Sequence, residues 1–105
     1  MTKSTRSPLI LAAVLAFAAV SALAQSSGEA TYKAKCASCH GASGTPSPAL
    51  AKMMGIKPVS DPSMSVLTVA QISSTIKNGK GKMKPIAGLT DAQVKDVVKY
   101  FKSLK

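Results

Sequence analysis

From Thr90 onward the apolar residues recur with the period of a helix. Val94, Val97, Val98, Phe101 and Leu104 fall on one side, and Tyr100 flanks the stripe. Thr90-Asp91-Ala92-Gln93, just before the stripe, is a capping box. In it the hydroxyl accepts from the glutamine N–H, and the glutamine side chain accepts from the threonine N–H. The same signature, Thr68-Val69-Ala70-Gln71, opens a helix to about Asn78. Leu67, Ile72 and Ile76 mark its buried side, and Asn78-Gly79 is its stop. Ser26-Ser27-Gly28-Glu29 opens another helix that runs into Cys36. Residues 41–65 are mostly loop, broken by Pro46, Pro48, Pro58 and Pro62, with a short helix over Ala49–Met54 ended by Gly55. The pattern predicts an all-α domain of three main helices and a short fourth, with no internal repeat.

The first residues follow a different rule. Lys3 and Arg6 give a basic start, Leu9–Val20 is unbroken apolar, and Ala22-Leu23-Ala24 is a small-residue cleavage site. Residues 1–24 therefore read as a secretory signal cleaved after Ala24. The apolar run is short of the roughly 20 residues of a membrane span, so stable insertion is not expected after cleavage. An uncleaved anchor is the alternative. Residues 25–105 then form one domain, with only Tyr32, Tyr100 and Phe101 as aromatics. That is a thin core, and small domains often rely on a staple or a cofactor. The domain is expected to fold poorly alone.

Charge narrows the partners. The full chain carries +10, of which Lys3 and Arg6 supply two, leaving +8 on residues 25–105. Such a surface suits acidic proteins, anionic membranes or nucleic acid. An exported chain with no nucleic-acid motif points to the first.

Chemistry concentrates in Cys36-Ala37-Ser38-Cys39-His40. On a helical turn the two cysteines lie three apart on one face, where both sulfurs can reach the vinyl-derived carbons along one porphyrin edge. His40 follows, placed to bind iron from one side. This is the attachment pattern for a c-type haem. A thioredoxin-type pair wants a strand before the motif, and a helix is predicted there. A structural zinc site needs about four ligands, and a blue-copper site needs two histidines, where this chain has one. A structural disulfide leaves His40 without a purpose.

The motif and the helix pattern together resemble the small class I c-type cytochromes: monohaem, His/Met-ligated, bacterial periplasmic proteins. The likeness spans essentially the whole of residues 25–105. It implies a class I cytochrome c-like fold, three main helices and loops around one covalently bound haem c. Gly28 and Tyr32, eight and four residues before Cys36, take positions where that family uses a glycine and an aromatic to cross the C-terminal helix closely. The thioethers would come from Cys36 and Cys39, and the axial iron ligands would be His40 and a methionine.

Met53, Met54, Met64 and Met83 are the candidates in residues 25–105. Core packing is the default for Met53 and Met54, and Met64 is the weaker rival. Met83 sits in Asn78-Gly79-Lys80-Gly81-Lys82-Met83, before the last helix, as the ligand does in the family. If residues 79–84 are extended, Gly79, Gly81 and Met83 share one face and Lys80, Lys82 and Lys84 the other. The family usually has proline directly after this methionine; here Lys84 precedes Pro85. In the family a proline carbonyl also accepts from the histidine's second nitrogen, for which Pro48 is the first candidate and Pro46 the alternative. Second-shell bonds of that kind orient the ring and raise its basicity.

The resemblance implies a one-electron carrier between periplasmic redox partners, not an enzyme. The partners would be acidic proteins such as an oxidase, reductase or dehydrogenase, drawn by a rim of Lys80, Lys82 and Lys84. No nucleic acid is expected, and the protein is expected to be monomeric. The alternative is a peroxidase-like haem enzyme or ligand sensor with a labile sixth ligand. Catalysis would want a distal acid–base group, and no second histidine exists to provide it.

Overall fold

The computed structural model describes residues 27–104. The predicted signal, the expected cap at Ser26 and the last lysine lie outside the described residues. Residues 27–35 form helix α1, and a turn at Cys36 leads into α2 (Ala37–His40). The short helices α3 (Pro48–Met54) and α4 (Pro62–Ser65) follow, then α5 (Val69–Asn78) and α6 (Asp91–Ser103). Among the described residues there is no strand, only an isolated bridge between Lys80 and Met83.

The capping chemistry matches the expectation residue for residue. Thr68 and Thr90 each accept from the N–H three residues on, and Gln71 and Gln93 each accept from the threonine N–H. Gly79 ends α5 with φ 77°. α3 begins one residue before the predicted start, because Ser47 caps it and Pro48 takes the first helical position, where a missing N–H costs nothing. Helix α4 was not expected from the loop-like composition. Its signal is Asp61-Pro62-Ser63, in which the Asp61 carboxylate accepts from both the N–H and the hydroxyl of Ser63.

The core is Tyr32, Val59, Ile72, Ile76, Val94, Val97, Val98 and Phe101. Seven of these lie on α1, α5 and α6, where α5 packs along α6. The exception is Val59, whose N–H donates to the Gly44 carbonyl at 2.9 Å. Leu67, Leu104 and Tyr100 border the core, half-buried. Lys77 of α5 and Asp91 of α6 pair at 2.6 Å. Both side chains are well exposed, so the pair adds little to stability.

Helix α1 crosses α6 at Gly28. A Cβ built on Gly28 would run into the Asp96 carbonyl and reach Tyr100 Cβ at 3.1 Å. One turn on, Tyr32 lies between Tyr100 and Phe101, with ring centroids 5.4 Å and 6.0 Å away. The crossing thus depends on bare backbone at one residue and a buried ring at the next contact. Glycine to alanine inside a helix ordinarily gains roughly 0.5–1 kcal/mol. At this crossing the gain is outweighed by an overpacking cost of about 1–3 kcal/mol. Gly28→Ala is therefore expected to lower stability in denaturant unfolding, and an unchanged or raised midpoint would mean that the helices do not cross here.

Candidate functional site

Cys36, Cys39 and His40 fall on a single turn. The Cys36 carbonyl accepts from the N–H of Cys39 at 3.2 Å and of His40 at 2.9 Å, and the Cys36 N–H donates to Tyr32 at 2.8 Å. Both cysteines are free thiols, Cys36 half-buried and Cys39 exposed. Burial, with the neighbouring Cys39 adding to it, pushes the Cys36 thiol above its usual pKa. A redox Cys-x-x-Cys pair works through a thiol pushed the other way, so this environment speaks against thioredoxin-like chemistry.

The imidazole of His40 is held edge-on to Phe101, with centroids 5.7 Å apart and planes at 70°. Burial lowers its pKa, which favours the neutral ring that metals bind. Tyr32 supports the same turn from below. Its hydroxyl donates to the carbonyl of Gly41, the residue after His40, at 2.6 Å. Phe101 therefore touches both the iron-binding candidate and the tyrosine that fixes the chain behind it. A buried tyrosine in place of phenylalanine four residues before Cys36 was the available sign of this contact, since its hydroxyl must find a partner.

Met83 borders the core, half-buried, as do Cys36 and Met64. Residues 80–83 are not extended, which corrects the alternating-face expectation. Lys80 and Met83 exchange two backbone hydrogen bonds of 2.9 and 3.0 Å, closing a two-residue turn. Gly81 takes a φ of 59° and Lys82 a negative one, the pattern of a primed hairpin turn with glycine first. Gly79 is needed at the base, because a Cβ there would lie 2.7 Å from the Met83 carbonyl and 2.8 Å from Pro85 Cδ.

Two further expectations change. Pro48 does not support His40. It is exposed at the first position of α3, and the buried Nδ1 of His40 has no hydrogen-bond partner among the described residues. The physical reason is the helix itself, which turns a first-position carbonyl along its own axis toward the next turn. Pro46 is buried beside this segment but also makes no bond to Nδ1. Met53 is no core residue either, being 62% exposed, whereas Met54 is half-buried. The lysines at 80, 82 and 84 are all exposed. Among the described residues Lys82 alone of the three has a partner, the Met53 carbonyl at 2.8 Å.

The donor set fits a haem. It comprises two unpaired thiols on one helical turn, an imidazole favoured in its neutral form, and thioethers at the border of the same apolar core. Residues 23–101 match the protein family described as cytochrome c oxidase, cbb3-type, subunit III. The chain belongs to this family of c-type cytochromes. It is also similar to a solved structure named KustC0563 c-type cytochrome. The TM-score is 0.66 at 27% identity, covering 74% of this chain and 96% of that one. No curated protein matches. This c-type cytochrome thus has an all-α, cytochrome c-like fold, and its family implies haem c and a haem-based electron carrier.

Burial pushes the Tyr32 phenol from 10.0 up to about 12, helped by Cys36 and Tyr100 and opposed by a hydrogen bond with Gly44. A phenol whose folded pKa lies above its unfolded value stabilises the fold below the unfolded pKa and loses that contribution as pH rises through the folded one. Tyr32→Phe is expected to cost about 1–2 kcal/mol at neutral pH through the lost bond to Gly41. The gap between the two proteins should then narrow between pH 10 and about 12. Lysine titration is common to both and cancels. Paired denaturant titrations across that range would show it, and a constant gap would place the phenol in water.

Proposed function

We propose that this c-type cytochrome is an exported one-electron carrier with a single haem c, attached through thioethers to Cys36 and Cys39. The observation that carries the reading is the single turn holding Cys36, Cys39 and His40, with the imidazole braced on Phe101. The haem, when bound, supplies a one-electron Fe2+/Fe3+ couple. His40, its ring braced by Phe101, would be one ligand to the iron. Met83 would provide the sixth ligand, and its soft thioether favours the ferrous state and raises the potential. Met83 is preferred to Met64 because it follows α5 and precedes α6, the place the ligand methionine takes in the class I cytochromes that the chain resembles. The signal pattern of residues 1–24 supports export to the periplasm. No helix of the described residues is long and apolar enough to cross a membrane.

The chain's own contribution to transfer is steering. Its excess positive charge would draw an acidic redox partner into fast, weak and salt-sensitive encounters. A carrier is favoured over a peroxidase-like enzyme because the sequence holds no second histidine to act as the distal acid–base group. The family's name supports a second reading, in which the protein serves as a dedicated subunit of one oxidase. Co-purification with such a complex separates the two.

Two experiments test the reading. In ferric protein matured with haem, the far-red band of methionine ligation should be present and should vanish in Met83→Ala. A band that survives removes Met83, and a haem spectrum lacking it from the start favours the sensor or peroxidase-like alternative. Separately, replacing Lys80, Lys82 and Lys84 by glutamine should slow association with an acidic redox partner about tenfold at low salt and flatten its salt dependence. An unchanged on-rate would mean that the docking site lies elsewhere.

A further inference from the structure

The segment from Gly79 to Ile86 is fixed at its base and nearly free at its tip. At the base, the Ile86 N–H donates to the Ile76 carbonyl at 2.8 Å, and Gly79 lies against Met83 and Pro85. At the tip, the turn is closed only on itself, by the Lys80–Met83 pair. One side chain reaches outward from it. Lys82 Nζ donates to the Met53 carbonyl, across 29 residues of sequence, at 2.8 Å.

The acceptor also lacks other support. Met53 lies in the last turn of α3, where carbonyls have no partner within the helix. A lysine supplied to such a carbonyl satisfies it and complements the negative end of the helix. Helix α3 has no buried residue of its own to hold it in place. Lys80 and Lys84, on either side, make no side-chain hydrogen bond or ion pair among the described residues.

We propose that Lys82 is a positioning residue for Met83, its ammonium clasping the end of α3 to the turn that carries the methionine. The inference rests on the reading of Met83 as iron ligand for its functional meaning, but the clasp itself does not depend on it. It divides the lysines by task. Lys80 and Lys84 are free to meet a partner, while Lys82 keeps the tip of the ligand segment in place.

The test uses the full, haem-loaded chain with Lys82→Met, Lys82→Arg and Lys80→Met. Hydrogen exchange at the Lys80 and Met83 amides reports opening of the turn directly. Loss of one hydrogen bond should speed both amides about fivefold in Lys82→Met. Lys82→Arg should stay close to the parent protein, and Lys80→Met should leave both amides unchanged. Displacement of the methionine by added imidazole, followed in the far-red band, should accelerate by a similar factor in Lys82→Met alone. Equal effects in Lys82→Met and Lys80→Met would reduce Lys82 to one charge among several and overturn the proposal, as would no effect in either. If the parent protein has no methionine band, the ligand assignment fails, and the exchange comparison still decides the clasp.

Discussion

The crossing of α1 over α6 is the constraint on which the site depends. Gly28 lets the two backbones approach, and Tyr32 fills the space one turn later between Tyr100 and Phe101. From there the support passes in two directions to the same place. The Tyr32 hydroxyl fixes the chain just behind His40, and the ring of Phe101 meets the imidazole edge-on. The core is small; two of its ring contacts set the crossing at Tyr32, and a third, from Phe101 to His40, backs the turn itself. Helix α5 closes the other side through Ile72 and Ile76, and it ends at the glycine from which the Met83 segment departs.

The two halves of the candidate site are built differently. Cys36, Cys39 and His40 belong to a helical turn tied to the core through Tyr32 and Phe101. Met83 belongs to a two-residue turn at its border, tied back by backbone bonds at its base and by a lysine at its tip. Rigid on one side and adjustable on the other is a sensible division for a haem carrier. With the proposed ligands, the histidine side would define where the group is held, and the methionine side would be where the polypeptide tunes the metal.

Much of this was legible in the sequence, for reasons that are local. Capping boxes are complete within four residues, so Thr68 and Thr90 located two helices without help from the rest of the fold. The apolar stripe from Val94 to Phe101 named the four buried residues of α6, and the spacing from Cys36 to His40 predicted that these side chains share one turn. What was missed depends on distant partners or on backbone sign. The Lys82–Met53 contact joins residues 29 apart and leaves no trace in either neighbourhood. The extended reading of residues 79–84 failed because Gly81 takes a positive φ, which turns the chain back where alternation was assumed. Pro48 was read for its carbonyl, whereas its place after Ser47 makes it the start of a helix.

The brace on His40 comes from far along the chain, since residue 101 follows residue 40 by 61 positions. Holding two segments together across a loop of that length carries an entropic cost that the packing of α6 must offset. The imidazole is therefore only as well backed as the last helix is docked. A change that loosens α6 against the core would reach His40 through Phe101, from a part of the sequence that carries no ligand candidate.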